Sequence, residues 1–201
     1  MGDAASERDW VLPDEPVPVR LMATIWADTD GVHDDFAAPS DLDEWLDAIG
    51  VARHGIAATR DEFLRARALR DSVRRLAAFV TGDERSAAVS AVPDVGQAIE
   101  TVNATARETP VLRLELREGN LDFGPETAAS PVTGGLAEVA AEAQRLLGPN
   151  NSVLRACHAP GCVLYFAMTH PRREWCSVAC GNRARAARHY QTVRSARSTQ
   201  Q

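Results

Sequence analysis

All four cysteines of this 201-residue chain lie between positions 157 and 180, in two close pairs. Four residues separate Cys157 from Cys162, three separate Cys176 from Cys180, and thirteen separate the pairs. Two short loops that each bring two sulfurs to one point suit a soft, four-coordinate cation such as zinc, which four thiolates satisfy at tetrahedral angles. Pro160 and Gly161 supply a sharp turn inside the first loop. The second pair precedes a helix expected over residues 181–196. Its ligands then sit at the first turn, where free backbone N–H groups and the positive end of the helix dipole favour thiolate over thiol. A shell of four thiolates has no open position, so the expected cofactor is one structural zinc held by Cys157, Cys162, Cys176 and Cys180.

Other cysteine chemistries fit less well. Two disulfides would require an oxidising compartment, whereas the N-terminus is acidic and lacks the long apolar segment of a secretory signal. A cytoplasmic location is therefore expected, where thiols stay reduced and clustered cysteines hold metals. Neither pair is Cys-x-x-Cys, which argues against thioredoxin-like redox work. His158, His170 and His189 are spare ligands nearby. Four cysteines already complete the shell, so these histidines read as surface or hydrogen-bonding groups. No apolar run is long enough to span a membrane.

The C-terminal residues resemble the CGNR zinc finger. Cys180-Gly181-Asn182-Arg183 is the run that gives the family its name. The proline within the first cysteine pair, Phe166, Arg172-Arg173 and Trp175-Cys176-Ser177 also stand in register. More loosely, Asp34-Asp35-Phe36, Pro39 and Leu42-Asp43-Glu44-Trp45-Leu46 are similar to the N-terminal, ABATE-type part of such proteins. Asp28 stands where the family tends to have asparagine. The resemblance implies a stress-induced bacterial transcription regulator with a helical N-terminal domain and a finger that binds DNA. The implied division is 1–150, a ligand-sensing domain, and 151–201, the finger with its basic helix.

Charge agrees with that implication. The net charge of −6 divides unevenly. Residues 1–150 carry 14 Arg against 27 Asp and Glu, a net −13; residues 151–201 carry 8 Arg against Glu174 alone, a net +7. An acidic body with a basic tail is a nucleic-acid signature. Arg172, Arg173, Arg183, Arg185 and Arg188 are the candidate contacts to double-stranded DNA. At 100° per residue, Arg185, Arg188 and Thr192 share one stripe of the terminal helix, and Ala186, Tyr190 and Val193 are expected to dock on the finger. Arginines close to the cysteines have a second reading, as neutralising charges around a dianionic zinc tetrathiolate.

The expected fold class is α+β, mainly α: a helical N-terminal domain with a small β-hairpin, then a treble-clef-like zinc finger ending in a helix. Residues 17–27 read as extended, with Trp26 in the core. Asp28, Asp30, Asp34 and Asp35 surround Gly31 without the order or closing glutamate of a calcium loop, so they read as a solvated loop with His33 exposed. Ser40 reads as the cap of a short helix. Thr59 and Glu62 form a capping box that opens a helix over 61–80, with Ala66, Leu69, Val73, Leu76 and Val80 inward. On its other faces Arg65, Arg67, Arg70, Arg74 and Arg75 read as a solvated, salt-bridged surface, with a site for a ligand carboxylate as the alternative. A helix over 94–108 turns Val95, Ile99, Val102 and Ala106 inward. Leu112, Leu114 and Leu116 alternate with charges in one arm of a hairpin that turns at Gly119-Asn120. Pro131 begins a further helix, and residues 150–152 read as a linker.

No Ser-His-Asp set, phosphate loop or open metal position is legible, so an enzyme is not expected. The leading function is a DNA-binding regulator whose N-terminal domain senses a small molecule or forms a homodimer. A finger that binds RNA or protein without sequence-specific DNA recognition is the alternative.

Overall fold

The computed structural model describes residues 10–86, 90–125, 130–149 and 153–198. The chain enters its core at Trp10, which packs edge-on against Phe36. Prolines at positions 16 and 18 set φ for a helical first turn in α1 (Val17–Met22). An extended segment was expected here. Burial of Val19, Leu21 and Met22 outweighs the strand preference of the valines.

Strands β1 (Ile25–Ala27) and β2 (Val32–Asp34) form an antiparallel pair with Ile25 opposite Asp34. The acidic stretch is thus a hairpin rather than a simple solvated loop, although Asp28 and Asp30 at its tip are exposed. Trp26 is only half-buried. It stacks on His33, with ring centroids 4.3 Å apart, and donates its indole N–H to Asp35 at 2.9 Å.

Helix α2 (Pro39–Ala48) starts with Pro39, ahead of the expected cap Ser40. The Asp41 carboxylate makes the cap instead, accepting the backbone N–H groups of Ala37 and Ala38 at 2.8 and 2.7 Å. Leu42, Trp45 and Leu46 are its buried face.

Helix α3 (Arg60–Thr81) opens with the expected capping box and closes at Gly82, whose φ of +63° suits glycine. Ala66, Leu69, Val73 and Leu76 form the inward stripe, but Val80 is exposed in the last turn. The arginine face is the larger correction. Arg70 and Arg74 are 1% and 3% exposed and lie inside the molecule.

Asp94 caps α4 (Val95–Ala106) by accepting the N–H of Gln97. Ala98 and Val102 point inward; Ile99, expected inside, is exposed. Strands β3 (Leu112–Arg117) and β4 (Asn120–Pro125) form the expected hairpin, with Leu114 opposite Phe123 and Leu116 opposite Leu121. These four side chains line one face of it, and all four are exposed. Ser130 caps α5 (Pro131–Leu147). Helices α3, α4 and α5 pack on one another, with α1 against α3 and α5, and α2 against α3.

The C-terminal part comprises β5 (Leu154–Ala156), β6 (Tyr165–Ala167) and α6 (Val178–Ser198). The first cysteine pair lies in the turn between β5 and β6, so the hairpin frames the knuckle. Leu154, Ala156 and Tyr165 enter the same core as the N-terminal helices. A second cluster surrounds the cysteines and takes in Ala23 beside Leu164 and Phe166. The expected linker at 150–152 lies outside the described residues.

Candidate metal centre and the basic helix

Gly161 turns the first cysteine loop with φ +74°, and Cys162 donates its backbone N–H to Ala159 O at 2.9 Å. Cys157 donates its own to Leu164 O at 2.9 Å, which brings both sulfurs of this pair inward. Ser177, immediately before α6, accepts the Cys180 N–H on its hydroxyl at 3.2 Å, and Cys180 lies in the first helical turn. The helix starts earlier than expected because Ser177 serves as the cap.

The ligand atoms of Cys157, Cys162, Cys176 and Cys180 all lie within 4.8 Å of one another, and all four residues are buried. None is in a disulfide. Cys162 and Cys176 are 3.8 Å apart at sulfur; Cys176 and Cys180 are 3.4 Å apart. Thiolates about 2.3 Å from a tetrahedral zinc stand about 3.8 Å from one another, so the cluster has the dimensions of one closed zinc site. Hydrogen bonding from Cys162, then Cys176, pulls the Cys157 thiol far below its ordinary value. The same bonding with Cys157 pushes Cys162 up to about 12 and also raises Cys176. Such crowded thiols favour a divalent cation that replaces their shared protons. Arg183 donates to Cys180 Sγ at 3.0 Å, a bond that raises its own pKa and places positive charge beside the sulfurs.

The N-terminal part holds this knuckle from outside, through Glu15, Asp83 and Arg85, which the sequence did not single out, and through Arg74, which it placed on an outward face. Arg85 donates to the carbonyls of Cys157 and Cys162 at 2.7 and 3.1 Å. Asp83 fixes Arg85 with two bonds of 2.7 Å, and that pairing lowers the Asp83 pKa. Tyr165 donates its hydroxyl to the same carboxylate at 3.3 Å; burial, then Asp83, pushes the phenol up to about 12. Glu15, buried, accepts the Ala167 N–H at 2.7 Å and pairs with Arg173. Arg74 donates to Met22 O at 3.0 Å and Val163 O at 3.1 Å, joining α1 to the knuckle. Asp83 and Arg85 just beyond a left-handed glycine were the one local sign of a structured turn.

The candidate DNA contacts divide into two groups. Arg173 is turned inward: it donates to Ala167 O, Trp175 O and Cys176 O, and lies 5.0 Å from the centre of the Phe166 ring. Arg183 is engaged with Cys180. Arg172, Arg185 and Arg188 are exposed. Among the described residues, Arg185 has a single side-chain bond, to Asn182 within its own helix, at 2.5 Å. From Arg185 to Ser195 no residue of α6 is buried. Tyr190, expected to dock on the finger, is 73% exposed. The helix simply outruns the surface that could cover it: its 21 residues measure about 31 Å.

Among the described residues, no helix is long and apolar enough to cross a membrane. A family model, ABATE, described as "Putative stress-induced transcription regulator", matches residues 15–149, and the CGNR zinc finger matches residues 154–192. No curated protein matches the chain.

Proposed function

The chain belongs to the ABATE family and carries a CGNR zinc finger; from that premise we propose that it is a cytoplasmic transcription regulator that grips double-stranded DNA with α6. Cys157, Cys162, Cys176 and Cys180 hold one structural zinc. The metal supplies rigidity only, because the shell is closed. Residues 151–201 act as the DNA-binding finger, and residues 1–150 sense a small molecule or form a homodimer.

One observation carries this reading. Helix α6 stands clear of the body with five arginines and no acidic residue along its length. A rod of that width fits the DNA major groove. Arg185 and Arg188 share a stripe that can meet phosphates and base edges, and Arg172 approaches from the preceding loop. Arg173 and Arg183 instead support the finger. The acidic residues of the body repel the duplex and leave the basic end as the side that meets it.

The test is fluorescence anisotropy of the zinc-loaded full chain with random duplex DNA over a range of salt. Replacing Arg185 and Arg188 together by alanine should weaken binding and reduce the salt slope by about two, one per phosphate contact, with zinc retained. Equal affinity of variant and parent would reject the helix as the contact. Preference for single-stranded RNA over duplex DNA would favour an RNA-binding finger instead.

A further inference from the structure

Helix α3 sends three arginines to one side. Arg67, Arg70 and Arg74 are three and four residues apart, a spacing that stacks them on one face. They border a cleft of about 310 Å3 closed by the β1–β2 hairpin on one side and by Val163 of the finger on another. That volume falls at the lower end of the roughly 300–1,000 Å3 typical of small-molecule sites.

The arginines of this cleft are unevenly paired. Arg70 is matched by Asp34 at 2.5 and 3.1 Å, by Asp71 at 3.0 Å and by the Thr24 hydroxyl. Arg67 shares Asp34 at 3.3 Å. Arg74 has no carboxylate within 4.0 Å among the described residues. It spends two N–H groups on backbone carbonyls and lies 5.6 Å from the centre of the Tyr165 ring. Three guanidinium groups thus line the cleft beside two carboxylates, and Arg74 feels Asp71 and Asp83 at longer range with neither carboxylate in contact. A buried cation with no carboxylate in contact is costly, and an anion placed beside it recovers much of that cost. Burial accordingly lowers the Arg74 pKa. The rest of the wall is mixed: Ile25, Val32, Ala91 and Val163 give it an apolar side, and Ser86 and Ser90 add two hydroxyls.

We propose that this cleft binds a small organic carboxylate, with the charged end against Arg74 and Arg67 and a short apolar body against Ile25, Val32 and Val163. A monoanion suits a wall that holds three guanidinium groups and two carboxylates. A phosphate dianion would bring surplus negative charge beside Asp34 and Asp71. The fork of Arg74 already grips Val163, the residue after Cys162, so a ligand that draws this guanidinium toward itself bears directly on the seat of the finger. The inference deepens the reading of residues 1–150 as a sensor, and rests on it for its regulatory meaning.

The test is calorimetric titration of the zinc-loaded full chain with acetate, hexanoate, benzoate and inorganic phosphate. At least one carboxylate should bind saturably at one site per chain, tenfold or more tighter than phosphate. Arg67→Gln, at a half-exposed side chain, should weaken that binding at least tenfold with an unchanged melting temperature. Arg74→Lys should also weaken it, because a single ammonium cannot serve two carbonyls and a ligand. Absence of saturable binding by all three carboxylates, tighter binding of phosphate, or an Arg67→Gln chain that binds like the parent would overturn the inference. DNA binding is measured on the same samples. Intact DNA binding without carboxylate binding removes only the cleft; carboxylate binding without DNA binding keeps the cleft and removes the regulator reading.

Discussion

Glu62 offers a measurable test of how the helical body is held. The residue is 3% exposed, and its carboxylate joins the starts of two helices. One oxygen accepts the Thr59 N–H at 2.8 Å and the Thr59 hydroxyl at 2.7 Å. The other accepts the Thr133 hydroxyl at 3.0 Å, and the Ser130 hydroxyl contributes a further bond. Burial alone would raise the carboxyl pKa. The four hydrogen bonds more than reverse that and hold it at about 2, against an ordinary 4.5. A folded value below the unfolded one means stability that is fully present above about pH 4.5 and is lost as the pH falls toward 2. The shift corresponds to about 3 kcal/mol near neutrality. Glu62→Gln keeps the shape and removes the charge, so it should destabilise the chain by about 2–3 kcal/mol at pH 7. The assay is urea denaturation of both chains from pH 7 to pH 3. Acid displaces zinc from each chain alike, so the difference between them isolates the carboxylate. The two stabilities should converge below about pH 4.5. A constant gap down to pH 3, or no gap at pH 7, would refute the charged network.

Two further outcomes follow from the contacts around the finger and the free hairpin. Arg85→Met leaves the Cys157 and Cys162 carbonyls without their donor and Asp83 without its cation. It should cost about 2–4 kcal/mol and speed zinc loss to a chelator, followed by absorbance of the metal–chelator complex; an unchanged rate would show that the knuckle needs no outside support. Leu116→Ser and Phe123→Ser, at side chains 73% and 66% exposed, should each change stability by less than about 0.5 kcal/mol in thermal melting; a loss above about 2 kcal/mol would mean that the hairpin face is covered in solution.

What the sequence made legible was local. Cysteine spacing identified a cluster that the structure brings together at sulfur, because two short loops and a helix cap suffice to aim the four side chains. The Thr59–Glu62 box and the alternation from Leu112 to Arg117 marked their elements for the same reason. Misreadings came where distant partners decide. Periodicity placed Arg70 and Arg74 on an outward face, but their partners lie on the β1–β2 hairpin and beside Cys162, in the latter case 89 positions away. Glu15 looked like part of a polar N-terminus, although it anchors Ala167 across 152 positions. The valines of α1 favoured a strand until burial against α3 and α5 was known. Tyr190 carries the opposite lesson: an apolar stripe buries only where a surface stands opposite, and α6 extends beyond it.

The central claim is a single closed zinc site tying the basic helix to the helical body, and metal content tests it most directly. Chain purified under reducing conditions is analysed for bound metal and for reactive thiols, beside Cys176→Ser. The account predicts one zinc per chain, four thiols that react only after chelation, and loss of the metal in the variant, because structural zinc contributes an apparent ~10–16 kcal/mol in small fingers. A metal-free parent, or full zinc content in Cys176→Ser, would contradict it.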